Sequence, residues 1–389
     1  MLAELYGNSK MCVVSGATTW EIFGRRINAA LGAAAAEPIV LNNAKADLAT
    51  VERVAAATSA PVLIAAGSGA ITDIVKYATF RTGRRFSVFA SSPMNAYSTS
   101  SASILVDGVK KSVPSHCADG LFFELKTLAA CPPRLLASAF ADLLCRSCIQ
   151  IDWLLAGDFA GADYRAFPFH LAECDEADLI AAAGNLTSGD HQSIAILVRA
   201  CIANGLGSLL LKSTACNSRC EHLISHYLDM FAGDAHPGSL HGEQVGVATL
   251  AMMRLQEQIL QADQPPQLHA SADRGTQLIA RYGKRLGSVF AQNCTTKAIS
   301  APAAAQWNRR WQDDWDTWRS RLRKVMLPAA KAEQALRACG GSTSASQLGF
   351  DPEFFRRAVR DAMYLRNRFG ILDLAASARM LEQFASRLQ

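Results

Sequence analysis

The sequence contains no apolar run approaching the ~20 residues that a membrane-spanning helix needs, and its N-terminus lacks a basic segment followed by a long apolar one. A membrane span and secretion are therefore not expected, and the cytoplasm is the expected compartment. Concentrated charge is also missing. The net charge is only +5, with Lys and Arg spread along the chain except between Arg309 and Lys324, so nucleic-acid binding gains little support. That patch carries Trp307, Trp311, Trp315 and Trp318 at helical spacing, which favours an amphipathic helix packed on a core or on a second subunit, and hence a homo-oligomer, over a base-stacking surface. The eleven cysteines are an odd number, and Cys145-x-x-Cys148 has no second CxxC partner. Reduced, mostly buried thiols are expected rather than a disulfide framework, with this pair serving helix packing. No internal repeat is visible.

What is present is enough chain for two domains: 389 residues, half of them hydrophobic. The first third alternates β-branched runs with helical patterns. Met11–Val14 precedes a helical stretch from Thr18 to Leu31, Pro38–Leu41 precedes Asp47–Ala57, and Pro61–Ala66 runs into Gly67-Ser68-Gly69 before a helix from Ile71 to Thr82. Arg84–Ala90 then reads as another strand. This is the grammar of a parallel sheet. Glycines between a strand and a helix N-terminus let backbone N–H groups approach an anion, so Gly67, Ser68 and Gly69 are candidates to hold a pyrophosphate. The stretch matches neither GxGxxG nor GxxxxGKS/T. Asp73 and Lys76 share a face of the following helix and strengthen the candidate; a tight turn with an Asp73/Lys76 surface pair would account for the same residues. Beyond Pro132-Pro133 the strand signals fade. Helices are expected over 134–156, 190–212, 219–231, 241–261, 304–325 and 352–386, with Cys339–Ser344 as a surface linker.

Three of the eight histidines fall in Glu221-His222-Leu223-Ile224-Ser225-His226 and the nearby His241-Gly242-Glu243. His222 and His226 lie four apart and project from one helix face, and His241 follows across a Gly/Pro-rich turn. Two imidazoles alone under-coordinate a divalent ion. A carboxylate is available at Asp142, inside the apolar run Leu135–Leu144, where an unpaired charge would be costly and a metal-bound one would not. Asp plus two His leaves positions open, the pattern of a catalytic rather than a closed structural site, with zinc preferred to iron or nickel. Taken singly, a buried Asp or His is usually a hydrogen-bonded core residue.

Taken together, several motifs resemble the glycerol-1-phosphate dehydrogenase branch of the superfamily that joins iron-containing alcohol dehydrogenases, glycerol dehydrogenase and 3-dehydroquinate synthase. They are Gly67-Ser68-Gly69-x-x-x-Asp73-x-x-Lys76-Tyr77, Val106-Asp107-Gly108-Val109-Lys110-Lys111-Ser112-Val113-Pro114, Phe140-Ala141-Asp142-Leu143, Glu221-His222-x-x-Ser225-His226, His241-Gly242-Glu243-Gln244-Val245-Gly246 and Leu365–Leu372. The resemblance implies an α/β dinucleotide-binding domain with a parallel sheet over 1–130 and an all-α metal and substrate domain over 131–389, the dehydroquinate synthase-like fold. It implies NAD or NADP held by Gly67, Ser68, Gly69, Asp73, Lys76, Ser91 and Ser92, and one divalent metal on Asp142, His222 and His241. His226 would then serve proton transfer or positioning beside the nicotinamide, and Lys110 would meet a substrate phosphate. The expected reaction is metal-assisted reduction of dihydroxyacetone phosphate or a related small ketone. Two departures stand out. Ala65-Ala66-Gly67-Ser68 replaces the family's Gly-Gly-Gly-Ser, and Asn95, in Ser92–Thr99, stands where the family has an Asp. A dehydroquinate synthase-like cyclase and a non-catalytic nucleotide-binding descendant are the competing readings.

Overall fold

The computed structural model describes residues 1–106, 109–171 and 173–388. Asp107 and Gly108, quoted in the resemblance above, lie outside the described residues. The apolar runs of the first third form strands β1 (Met11–Gly16), β2 (Ile39–Leu41), β3 (Val62–Gly67) and β4 (Arg85–Ala90). With β7 (Gly120–Phe122) they make a five-stranded sheet of order β2-β1-β3-β4-β7, every neighbouring pair parallel. All six residues of β3 are buried, as a central strand covered on both faces requires. The connecting helices begin and end where local chemistry dictates. Asp47 caps helix Leu48–Ala57 by accepting the Thr50 N–H at 2.8 Å, and helix Gly69–Thr82 stops at Gly83, whose φ of 65° is the left-handed C-cap conformation. Outside the sheet, β5 (Ser101–Val106) and β6 (Val109–Pro114) form an antiparallel hairpin with Leu105 opposite Lys110.

By packing, the chain divides into two units whose boundary is not a single break near residue 130. Residues 1–139 and 170–213 form the first, and 140–169 and 214–389 the second. The excursion 170–213 belongs with the sheet because helix His191–Leu211 lays Gly205 against the turn Asn95–Ser98, where Ser98 Oγ donates to the Ile202 carbonyl at 3.1 Å. This helix is long and apolar enough to cross a membrane, contrary to the expectation from sequence. Its buried residues include Ile194, Leu197 and Val198, and a core helix meets the same length and composition test.

The second unit is helical among its described residues, and it departs from the expected boundaries in three places. The stretch 134–156 is two helices, Pro133–Leu143 and Arg146–Ala160, broken where the Cys145 thiol donates to the Asp142 carbonyl at 2.9 Å. The helical stretch Gly275–Thr296, two helices joined across a kink at Gly283 (φ 76°), was not anticipated, because only Leu278, Gly287 and Phe290 are buried along it and its apolar stripe is thin. The stretch 352–386 is not one helix. It breaks into Pro352–Asp361, a 3-10 turn, Ile371–Ser377 and Leu381–Ser386. The first break, after Asp361, ends at Gly370, the N-cap of Ile371–Ser377, where a Cβ would come within 2.7 Å of the Asp152 carboxylate and 2.5 Å of the Cys220 sulfur. Cys339 and Thr343 are buried, so that segment is not a simple surface linker. Helix Ala301–Arg323 buries Trp311, Trp315 and Trp318, with the Trp315 and Trp318 indoles donating to Ala262 O and Asp158 Oδ2 at 3.0 and 2.9 Å. Its tryptophans are packing residues. Cys145 and Cys148 are buried free thiols, as helix packing requires.

Candidate metal centre and nucleotide loop

Within the second unit, three helices deliver three ligand-type atoms to one point. Asp142 comes from the end of Pro133–Leu143, His222 from the first turn of Cys220–Phe231, and His241 from the first residue of His241–Leu260. One donor atom from each lies within 4.8 Å of the others. Asp142 Oδ1 is 3.4 Å from His222 Nε2 and 3.9 Å from His241 Nε2. Metal–ligand bonds of about 2.0–2.2 Å in tetrahedral geometry put neighbouring ligand atoms about 3.3–3.6 Å apart, so the donor set fits a zinc-sized ion with little adjustment.

The far side of each imidazole fixes which nitrogen faces that point. His222 Nδ1 donates to Glu221 Oε1 at 2.8 Å, and Glu221 is fully buried. Ser225 Oγ donates to Gln244 Oε1 at 2.7 Å, so its oxygen is left to accept from His241 Nδ1–H at 3.0 Å. Gln244 is held in turn, its amide nitrogen donating to Asp229 Oδ1 and Ser239 Oγ at 3.1 Å each. Both rings therefore have Nδ1–H engaged and present Nε2 to Asp142, where a proton or a metal ion is accepted, the orientation of a metal-ligating histidine. Burial alone pushes the His222 imidazole down. The hydrogen bonds and charges of Asp142 and Glu221 outweigh it and hold the ring up at about 9, so the site favours positive charge.

Glu221, Ser225 and Gln244 were not assigned roles from sequence. Their signal is a fully buried polar side chain on an otherwise apolar helix face, and neither partner is visible in spacing alone. His226 sits beside the three, its ring centroid 6.4 Å from that of His222 and 5.9 Å from that of His241, and it is half-buried. It is a neighbour of the cluster, not part of the converging donor set.

In the first unit, Gly67, Ser68 and Gly69 lie at the carboxyl end of β3, where open parallel sheets take their ligands. Ser91 and Ser92 run alongside: the Ser91 N–H donates to Gly67 O at 3.1 Å, and the Tyr97 hydroxyl donates to Ser92 O at 2.9 Å. The glycines also answer to packing. A Cβ on Gly67 would come 2.9 Å from Ile71, and one on Gly69 would come 2.7 Å from the Met94 sulfur. Asp73 is buried, and burial, opposed by the Lys76 charge, pushes its carboxyl up to about 6.

Lys76 differs from both sequence readings, since it is neither a surface partner nor directed at a ligand. It is wholly buried, and its ammonium meets Ala96 O at 2.5 Å, Thr99 O and Thr99 Oγ1 at 3.0 Å each, and Ser101 O at 3.2 Å. It pins the segment that carries Asn95. Asn95 opens the 3-10 turn Asn95–Ser98 and is half-buried; Lys110 lies on β6, close enough for its charge to act on Asp73.

Residues 1–132 match the family model for iron-containing alcohol dehydrogenase. Among curated proteins, a glycerol-1-phosphate dehydrogenase [NAD(P)+] of Geobacillus stearothermophilus is 25% identical over 317 residues, covering 80% of this chain and 70% of that one. The enzyme of the same name from Hyperthermus butylicus is 29% identical over 262 residues, covering 66% of this chain and 73% of its own. Among solved structures, a probable glycerol dehydrogenase from Sinorhizobium meliloti 1021 superposes with a TM-score of 0.61 at 14% identity, covering 100% of this chain and 94% of that one. Glycerol dehydrogenase from Schizosaccharomyces pombe gives 0.61 at 14% identity, covering 99% and 86%.

Proposed function

Because the chain belongs to the iron-containing alcohol dehydrogenase superfamily, on its glycerol-1-phosphate dehydrogenase branch, we propose that it is a metal-dependent, NAD(P)-linked dehydrogenase. Its substrate pair would be dihydroxyacetone phosphate and glycerol 1-phosphate, or a related small phosphorylated ketone and its alcohol. The observation that supports this best is the convergence of Asp142, His222 and His241 with both Nδ1 positions already occupied. These three residues would hold one divalent ion, zinc in preference to iron or nickel, which supplies Lewis-acid stabilisation of the oxygen charge that develops as hydride moves. Glu221 and the Ser225–Gln244 pair keep the two imidazoles aimed. His226, beside the ligands, would hold or pass the proton of the substrate hydroxyl. Gly67, Ser68, Gly69, Ser91 and Ser92 would take the dinucleotide, with Asn95 and Lys110 contributing to substrate binding. The cofactor supplies the hydride chemistry.

The test is steady-state oxidation of NADH and NADPH against dihydroxyacetone phosphate and a panel of unphosphorylated ketones. Turnover on the phosphorylated ketone is expected. Net NAD(P)H consumption separates a dehydrogenase from a cyclase, which returns its cofactor unchanged, and turnover confined to unphosphorylated ketones would rule out the substrate assignment.

The orienting residues make a separate expectation. Ser225→Ala removes the hydroxyl that meets His241 Nδ1, on a ring whose side chain is 36% exposed. Loss of such an outer hydrogen bond typically weakens metal binding by about 10- to 100-fold. Competition against a chelator should show that loss while the metal-free protein still unfolds cooperatively; unchanged affinity would remove Ser225 from the metal centre's support.

A further inference from the structure

Three arginines crowd one small cavity of the second unit. Arg219, Arg366 and Arg368 line it together with Cys220, Leu223 and Phe369. Arg368 donates to Thr214 O, Thr214 Oγ1 and Ser218 O at 3.2, 2.9 and 3.1 Å. Arg219 donates to Ala215 O at 3.0 Å and to Phe369 O at 3.4 Å, with its guanidinium 5.5 Å from the centre of the Trp153 ring. Carbonyls satisfy donors, but they do not cancel charge. The Asp152 and Glu221 carboxylates act on Arg219. No carboxylate figures among the influences on Arg366 or Arg368, and Arg366 has no hydrogen-bond or ion-pair partner among the described residues.

Burial lowers all three guanidiniums from the usual arginine range. Arg368 falls to about 10, first through burial and then through the charges of Arg219 and Arg366. Mostly buried cations without a counter-charge are costly, and a fold keeps them where something neutralises them. The planar guanidinium fork is suited to small anions. The cavity is largely enclosed and has a volume of only about 10 Å³, room for one water-sized sphere, which excludes a nucleotide, a peptide carboxylate and a tetrahedral oxyanion.

We propose that Arg219, Arg366 and Arg368 form a binding site for one monoatomic anion, a halide. The bound anion ties the segment Thr214–Cys220 to Arg366–Phe369. The first of these segments leads directly into the helix that carries His222, so the anion steadies the N-terminal end of the metal-bearing helix.

The experiment is thermal unfolding of the full, metal-loaded chain at constant ionic strength, with gluconate exchanged for chloride, sulfate or phosphate, for the parent and for Arg366→Gln. A ligand that binds only the folded state raises the midpoint. The parent midpoint should rise by several degrees with chloride, and Arg366→Gln should lose most of that rise. In gluconate the variant should melt no lower than the parent, since it removes an uncompensated charge. A rise with sulfate and phosphate but none with chloride overturns the proposal, since neither oxyanion fits the cavity. Sulfate's general stabilising effect and any anion at the metal would persist in the variant, so a chloride rise undiminished there overturns the proposal. So does a parent indifferent to all three anions. Should Arg366→Gln fail to fold, anomalous scattering from bromide-soaked crystals of the parent decides: a peak in contact with Arg366 and Arg368 upholds the site, and none there overturns it.

Discussion

Asp142→Ala is expected to yield a protein that purifies folded, carries little or no divalent metal, and reduces its ketone substrate at least ~10³-fold less efficiently than the parent. The magnitude follows from what the carboxylate does. Removing Asp142 leaves two imidazoles without the carboxylate, Oδ1 being gone from its positions 3.4 and 3.9 Å away. A two-ligand site retains zinc poorly, and losing the Lewis acid removes several kcal/mol of transition-state stabilisation, with about 1.4 kcal/mol corresponding to each factor of ten. Asn in place of Asp keeps the shape and loses the charge, so Asp142→Asn should fall between the two. Metal content by elemental analysis and kcat/KM on the same samples check both statements. A metal-replete Asp142→Ala protein would show that the ion, if any, is held elsewhere.

Gly205→Ala should have a contrasting effect, lowering stability while leaving metal content untouched. Gly205 lies where helix His191–Leu211 meets the turn Asn95–Ser98. An added Cβ would overlap Ser98 Oγ and lie 2.6 Å from the Asn95 carbonyl oxygen. Ser98 is itself buried and committed to Ile202 O, so it has little freedom to retreat, and the Asn95 carbonyl is backbone. Overpacking of this kind costs about 1–3 kcal/mol and occasionally more. Thermal unfolding should therefore begin several degrees lower. Because the displaced turn carries Asn95, KM for the ketone should rise more than kcat falls. A variant that melts with the parent would mean that the helix does not rest on the turn as described.

The parallel sheet was legible because strands covered on both faces are written as continuous apolar runs, and β3 from Val62 to Gly67 is such a run. The convergence of Asp142, His222 and His241 was also legible, from a carboxylate placed among apolar residues and from histidine density, though spacing alone did not choose among the three histidines. What stayed hidden depends on partners far along the chain. Gly370, the N-cap of Ile371–Ser377, sits where Asp152 and Cys220 occupy the space a side chain would need, and neither neighbour is visible in local sequence. Lys76 reads as a surface or ligand-facing residue from its i,i+3 relation to Asp73, and only the fold reveals the carbonyls of Ala96, Thr99 and Ser101 closing over it. Residues 170–213 look like any other helical stretch, and their place beside the sheet comes from Gly205 meeting Asn95 and Ser98. Glu221, Ser225 and Gln244 were visible as polar residues among apolar ones, without any sign of which imidazole each would hold.

The central claim is that a single ion on Asp142, His222 and His241 enables NAD(P)-linked carbonyl reduction. The most direct measurement is NAD(P)H oxidation with dihydroxyacetone phosphate before chelation, after chelation, and after re-addition of zinc, iron or nickel in turn, with bound metal quantified at each stage. Activity should disappear with the metal and return in proportion to about one ion bound per chain. Turnover that persists in fully metal-depleted protein would contradict the claim.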